Sequence, residues 1–122
     1  MKTMHRNKRK LYLCKAYTEN GRRRYEEPIE LYENWQITNT DAEFMNLGLE
    51  MFNFARIRTS KEHSDYYHVG DRVYLFITPP KEHDNTCMTA DYQVYKDPIT
   101  TLNECTVWLQ KLSGRNSNDN IY

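Results

Sequence analysis

The chain has 122 residues, enough for one domain that buries a single core without disulfide support. At 39% hydrophobic and 28% charged residues it is polar, yet ten Tyr, four Phe and two Trp exclude a wholly disordered chain. Net charge is zero but polarised: residues 1–24 hold nine Lys/Arg against one acid, a net of +8, and residues 25–122 carry the opposite −8. Such polarity steers an oppositely charged partner or touches phosphate; the alternative is a solvated basic arm with no partner.

Three cysteines, Cys14, Cys87 and Cys105, are odd in number and widely spaced, so no disulfide framework is implied and a reducing cytoplasm is expected. The basic N-terminus is followed by no apolar signal-peptide region, and no stretch reaches the length of a membrane span. A soluble protein without membrane association is expected.

Residues 1–9 read as a flexible basic arm, residues 10–112 as the folded domain, and residues 113–122 as a polar, mobile tail. The first strand candidate is 10–17, closed by the turn signal Glu19-Asn20-Gly21, because Asn-Gly readily takes positive φ. The clearest strand is 29–38. Its odd positions, Ile29, Leu31, Trp35 and Ile37, form an apolar face broken only by Glu33, and its even positions are wet.

Thr40-Asp41-Ala42-Glu43 is a capping-box pattern, and Ala42, Met45, Leu49 and Phe52 follow at helical spacing. Gly48 interrupts them at a cost of about 1 kcal/mol. A short helix or a long loop is expected here. Strand 54–60 places Ala55 and Ile57 on one face, and 61–68 is a polar loop.

After the Val69-Gly70-Asp71 turn, strand 72–78 alternates Val73, Leu75 and Ile77 with Tyr74 and Phe76. Both of its faces should be covered, which makes it central. Pro79-Pro80 stops it, and a loop runs to about Thr89. Strands 90–96 and 103–112 follow, with Asp97-Pro98 as the turn between them. The fold class is therefore mainly β: a small antiparallel barrel or sandwich with one short helix or long loop and flexible termini.

No catalytic kit assembles. The four glycines are scattered, so there is no phosphate loop, and no serine lies in a nucleophile motif. His83 and Cys87 share one polar loop with Asp84 between them. A Cys–His nucleophile needs burial and an orienting third group, and structural zinc needs paired ligands on both sides. A surface histidine and a half-buried thiol is the favoured reading, with no catalytic residue, metal or cofactor. Glu26-Glu27, Asp41 with Glu43, and Glu82 with Asp84 are carboxylate pairs of the kind any chain with 17 acids shows. Arg6, Lys8, Arg9 and Lys10 lead into Tyr12, and Arg22, Arg23 and Arg24 lead into Tyr25. Basic residues beside aromatics can grip phosphate and stack bases, so an OB-like module for single-stranded nucleic acid is the alternative reading. The acidic remainder of the chain speaks against it.

Val69-Gly70-Asp71-Arg72-Val73-Tyr74-Leu75, the Thr78-Pro79-Pro80 stop, Ala90-Asp91-Tyr92-Gln93-Val94 and Thr106-Val107-Trp108-Leu109-Gln110-Lys111-Leu112 resemble head–tail connector proteins of long-tailed bacteriophages. These are the head-closure or stopper proteins, also described as head–tail joining or minor capsid proteins. Asn39 to Glu43, followed by a glycine and Arg56-Ile57, sits where such proteins carry a loop toward the channel. The resemblance implies a non-enzymatic β-barrel in a six-fold or twelve-fold homo-oligomeric ring. The ring would lie in the virion neck, assembled in the host cytoplasm, and dock under the portal and its adaptor. It would retain packaged double-stranded DNA and offer a platform to the tail terminator or other tail proteins. The expected channel-loop or subunit-interface residues are Asp41, Glu43, Phe44, Met45, Leu47, Leu49, Met51 and Phe52; for Ala42, Met45, Leu49 and Phe52 the spacing equally suits a helix capping the barrel. The expected partner or DNA contacts are Arg6, Lys8, Arg9, Lys10, Arg22, Arg23 and Arg24.

Overall fold

The computed structural model describes residues 8–37, 54–102 and 104–112. Nine strands are described: β1 (Arg9–Cys14), β2 (Ala16–Glu19), β3 (Arg22–Tyr25), β4 (Ile29–Ile37), β5 (Phe54–Thr59), β6 (Arg72–Tyr74), β7 (Tyr92–Val94), β8 (Ile99–Thr100) and β9 (Cys105–Lys111). A short 3-10 helix, Glu62–Tyr66, lies between β5 and β6. The main sheet runs β5-β4-β1-β6-β7-β9, and the pairing of β5 with β9 closes it into a six-stranded antiparallel barrel. Closure removes the free edges that would otherwise invite uncontrolled strand pairing. β8 pairs with the first residues of β9.

The alternation read from the sequence explains the closure. Leu11 and Leu13 of β1, Trp35 of β4, Ala55 and Ile57 of β5, Val73 of β6, Tyr92 and Val94 of β7, and Cys105, Val107 and Leu109 of β9 all point inward and are buried. Their every-second-residue spacing places one face of each strand in the core.

β1 continues into β2, and β3 returns into β4, as one long bent hairpin. Paired positions sum to 42 along β1–β4 but to 41 along β2–β3 and at the Lys15–Glu26 contact. Cys14 therefore stands opposite both Glu27 and Pro28, which is a β-bulge. Pro28 has no N–H to lose at that point. The hairpin tip is Asn20 at φ 53 and Gly21 at φ 79, the left-handed pair its sequence predicts.

The expected strand 72–78 stops at Tyr74, and the reason is a side chain. The N–H groups of Leu75 and Phe76 donate to Asp91 Oδ1 and Oδ2 at 2.9 and 3.0 Å, so a buried carboxylate replaces the ladder. β6 is nevertheless central, lying between β1 and β7 with Val73 on the inner core and Tyr74 on an outer one. The outer core forms because residues after Pro80 descend along the outside of β1 and β6. It contains Cys14, Tyr25, Tyr74, Cys87 and Ala90. Two contacts fasten this loop to the hairpin: Tyr25 N–H donates to the Asn85 carbonyl at 2.9 Å, and His83 Nε2 lies 2.8 Å from the Tyr25 carbonyl.

Several elements depart from the sequence reading. The expected single strand 10–17 is split at Lys15, the basic cluster Arg22–Arg24 forms β3 with Tyr25, and the expected polar loop 61–68 contains the 3-10 turn. The short helix or loop expected between Thr40 and Phe52, and the tail from 113, lie outside the described residues.

Candidate functional site

The strand directions give the barrel two distinct ends. The starts of β1, β5 and β7 and the finishes of β4, β6 and β9 share one end, as the pairs Ile37–Ala55, Phe54–Gln110 and Tyr92–Lys111 establish. The chain therefore enters the barrel from its N-terminal arm, leaves and re-enters around residues 38–53, and leaves toward its C-terminus, all at this arm end. The hairpin, the 3-10 helix and β8 occupy the opposite end.

At the arm end Trp35 is the organising side chain. Its Nε1 donates to the Lys10 carbonyl at 3.2 Å, and the Arg9 guanidinium lies 3.7 Å from its ring centroid while donating to the Trp35 carbonyl at 3.3 Å. Phe76 meets the Trp35 ring edge-on at 5.3 Å and remains 60% exposed. This places a cation, an indole and an open phenyl ring beside the mouth, an arrangement suited to covering by a partner.

At the hairpin end the interior is sealed by Tyr67. Its hydroxyl donates to Glu33 Oε2 at 3.0 Å, and His63 Nδ1 lies 3.1 Å from the same oxygen. Glu33 is the one break in the alternation of β4, and it faces inward with its charge met by these two groups. Burial first, then the Glu33 carboxylate, pushes the Tyr67 phenol far above its ordinary range, so it remains a donor. Asp71 ties the same end together, accepting from Ala16 N–H at 2.8 Å, from His68 N–H at 3.0 Å and from Lys15 Nζ at 3.1 Å.

The basic residues do not form one patch. Lys8, Arg9 and Lys10 are exposed at the arm end, whereas Arg22, Arg23 and Arg24 lie on β3 in the hairpin. Register places Arg24 opposite Tyr17 and Arg22 opposite Glu19 on one hairpin face. Arg22 and Arg24 line a groove of about 500 Å³ with Glu19, Asn20 and Asn85. An adjoining groove of about 470 Å³ is lined by Tyr17, Tyr25, Glu26, Glu27, His83 and Asn85. Arg23 faces the other way, over Gly70, which holds φ +95 where a side chain would collide with the guanidinium. Arg6, and the expected channel-loop residues Asp41, Glu43, Phe44, Met45, Leu47, Leu49, Met51 and Phe52, lie outside the described residues.

In the outer core Cys87 does not pair with His83, whose ring is engaged with the Tyr25 carbonyl. Cys87 instead packs in the outer core that also holds Cys14, 73 residues away along the chain. The adjacent Cys14 thiol is the largest influence lowering the Cys87 thiol, to about 7; burial opposes it, and Tyr74, His83 and Arg72 reinforce it. The neighbouring Cys87 thiol, with burial, pushes the Cys14 thiol upward. Sequence spacing could not reveal this proximity. Among the described residues, no three His, Cys, Asp or Glu side chains group to hold a metal ion, and no helix is long and apolar enough to cross a membrane.

Comparison with known proteins gives no match to any family model, curated protein or solved structure.

Proposed function

We propose that this chain is a non-enzymatic structural subunit of a bacteriophage neck. It is a head-closure protein that forms a ring beneath the portal or its adaptor, retains packaged double-stranded DNA and presents a platform for the tail. The observation that carries this reading is topological. The basic arm, the apolar segment 38–53 and the C-terminal segment all join the barrel at one end, beside Arg9, Trp35 and Phe76. A closed barrel of this kind is a rigid hub, and the points at which these segments attach lie at one end of it.

Two further features support it. The barrel interior is occupied by side chains, with Leu11, Leu13, Ile57, Val107 and Leu109 fully buried, so the working surface is external. Tyr32 on β4 and Tyr95 just after β7 are exposed on opposite walls of the six-stranded ring. A ring of subunits needs two different faces to meet, and large amphipathic side chains suit both.

The test is imaging of the purified chain mixed with the portal ring of the phage that encodes it. Rings stacked coaxially on the portal are expected. The rival single-strand-binding reading draws on Tyr17, Arg22 and Arg24 of the hairpin. It predicts no stacking, together with tight binding of single-stranded DNA that weakens steeply with salt.

A further inference from the structure

The hairpin meets the barrel at the groove of about 470 Å³ lined by Tyr17, Tyr25, Glu26, Glu27, His83 and Asn85. Tyr17 is 36% exposed, Tyr25 is buried, and Glu26 and Glu27 are exposed. The ion pairs among the described residues are Lys10–Glu30, Lys15–Asp71 and His63–Glu33; neither Glu26 nor Glu27 takes part in any of them. Two such carboxylates beside two phenol rings make a receptor for cations. Carboxylates accept charge-assisted hydrogen bonds, and ring faces attract ammonium and guanidinium groups. The adjoining groove carries Arg22 and Arg24, which repel the same charge, so a basic segment is directed to the Glu26 and Glu27 side.

The chain itself holds a segment of matching chemistry. Residues 1–10 contain Lys2, Arg6, Lys8, Arg9 and Lys10 and no acid. Arg9 is committed to Trp35, whereas the Lys8 and Lys10 side chains are exposed. β1 runs from the arm end toward the hairpin, so its backward continuation leads away from the groove of its own copy. The groove that an arm meets without doubling back belongs to another copy.

We propose that the groove of Tyr17, Glu26 and Glu27 receives the basic N-terminal arm of a second copy of this chain. Arm ammonium and guanidinium groups pair with Glu26 and Glu27 and rest against Tyr17. Arm and groove are different surfaces at opposite ends of the barrel, so each copy donates one arm and receives another. This is a heterologous contact, of the kind from which rings are built. It requires a second copy and is independent of the neck assignment.

The test mixes equal amounts of unlabelled and heavy-nitrogen-labelled full-length chain and joins adjacent amines and carboxylates with a carbodiimide. Expected are cross-links from Lys2 or Lys8 to Glu26 or Glu27, with mixed-label pairs as frequent as same-label pairs. Lys10 and Glu30, 4.0 Å apart within one copy, supply the same-label control. Glu26→Lys with Glu27→Lys should abolish self-association in sedimentation, and so should Lys2→Glu with Lys8→Glu. An equimolar mixture of the two variants should restore it, because each offers the charge that the other lacks. Absence of arm–groove cross-links, cross-links of same-label pairs only, or a mixture of folded variants no more associated than either alone would overturn the proposal. The cross-link map of the unmutated chain decides it even if a variant does not fold, and a negative result leaves the neck reading to its own portal test.

Discussion

Glu33 is the sharpest point at which the fold can be tested, because one carboxylate inside the barrel depends on named partners. Tyr67→Phe deletes the 3.0 Å bond to Glu33 Oε2 and leaves His63 as the remaining donor. A hydrogen bond to a charged group contributes about 1.5–3 kcal/mol, so a loss of about 2 kcal/mol is expected. For a chain of this length that lowers Tm by about 8 °C. Glu33→Leu leaves the Tyr67 hydroxyl buried and unanswered, which costs about 1–3 kcal/mol. Combining the two removes both polar groups, and the double variant should recover to within about 1 kcal/mol of the natural chain, because replacing both partners is close to neutral. Guanidinium unfolding followed by the fluorescence of Trp35 and Trp108 measures all four proteins. Single losses that simply add, to within about 0.5 kcal/mol, would show that the two groups are not coupled and would refute the placement of Glu33.

Two other substitutions and one titration follow from the same structure. Leu13→Ala, at a fully buried position of β1, should cost about 2–5 kcal/mol in the same unfolding assay. Asp91→Ala should destabilise by at least about 2 kcal/mol, since the N–H groups of Leu75 and Phe76 both lose their acceptor. Burial raises the Asp91 carboxyl above its ordinary 3.8, against the opposing pull of those bonds. A raised folded value means the folded state holds this proton more tightly than the unfolded state. The Asp91 contribution to stability is therefore largest at low pH and is lost as pH rises through the folded value. Carboxyl-carbon NMR should show Asp91 titrating above 3.8; a midpoint below it would contradict the burial argument.

Much of the fold was legible because alternation survives in the strands that close the barrel. Ala55 and Ile57, then Cys105, Val107 and Leu109, were placed on shared faces by spacing alone, and they line the core. Even the exception was visible: Glu33 broke the pattern of β4. Its answer was not, because Tyr67 lies 34 residues away in a segment with no periodicity. β3 was missed since Arg22-Arg23-Arg24 reads as charge, and only Tyr25 marks a buried face. β6 was overextended because Val73 to Ile77 alternate as a strand should, while the competing acceptor, Asp91, is 14 residues past Ile77.

The site was less legible than the fold. Spacing identifies the two basic groups, but not that β1 and the hairpin carry the described ones to opposite ends of the barrel. His83 and Cys87 are the nearest chemical pair by sequence, yet the loop buries Cys87 in the outer core and sets His83 against the Tyr25 carbonyl. Local spacing cannot report a contact made by folding a loop across the outside of a barrel.

The proposed neck role is tested most directly by weighing the assembly. Native mass spectrometry of the portal ring incubated with excess full-length chain should show six or twelve added copies of 14.7 kDa, with no intermediate occupancy at saturation. A portal that gains no mass, while the chain stays monomeric, would contradict the ring-subunit account.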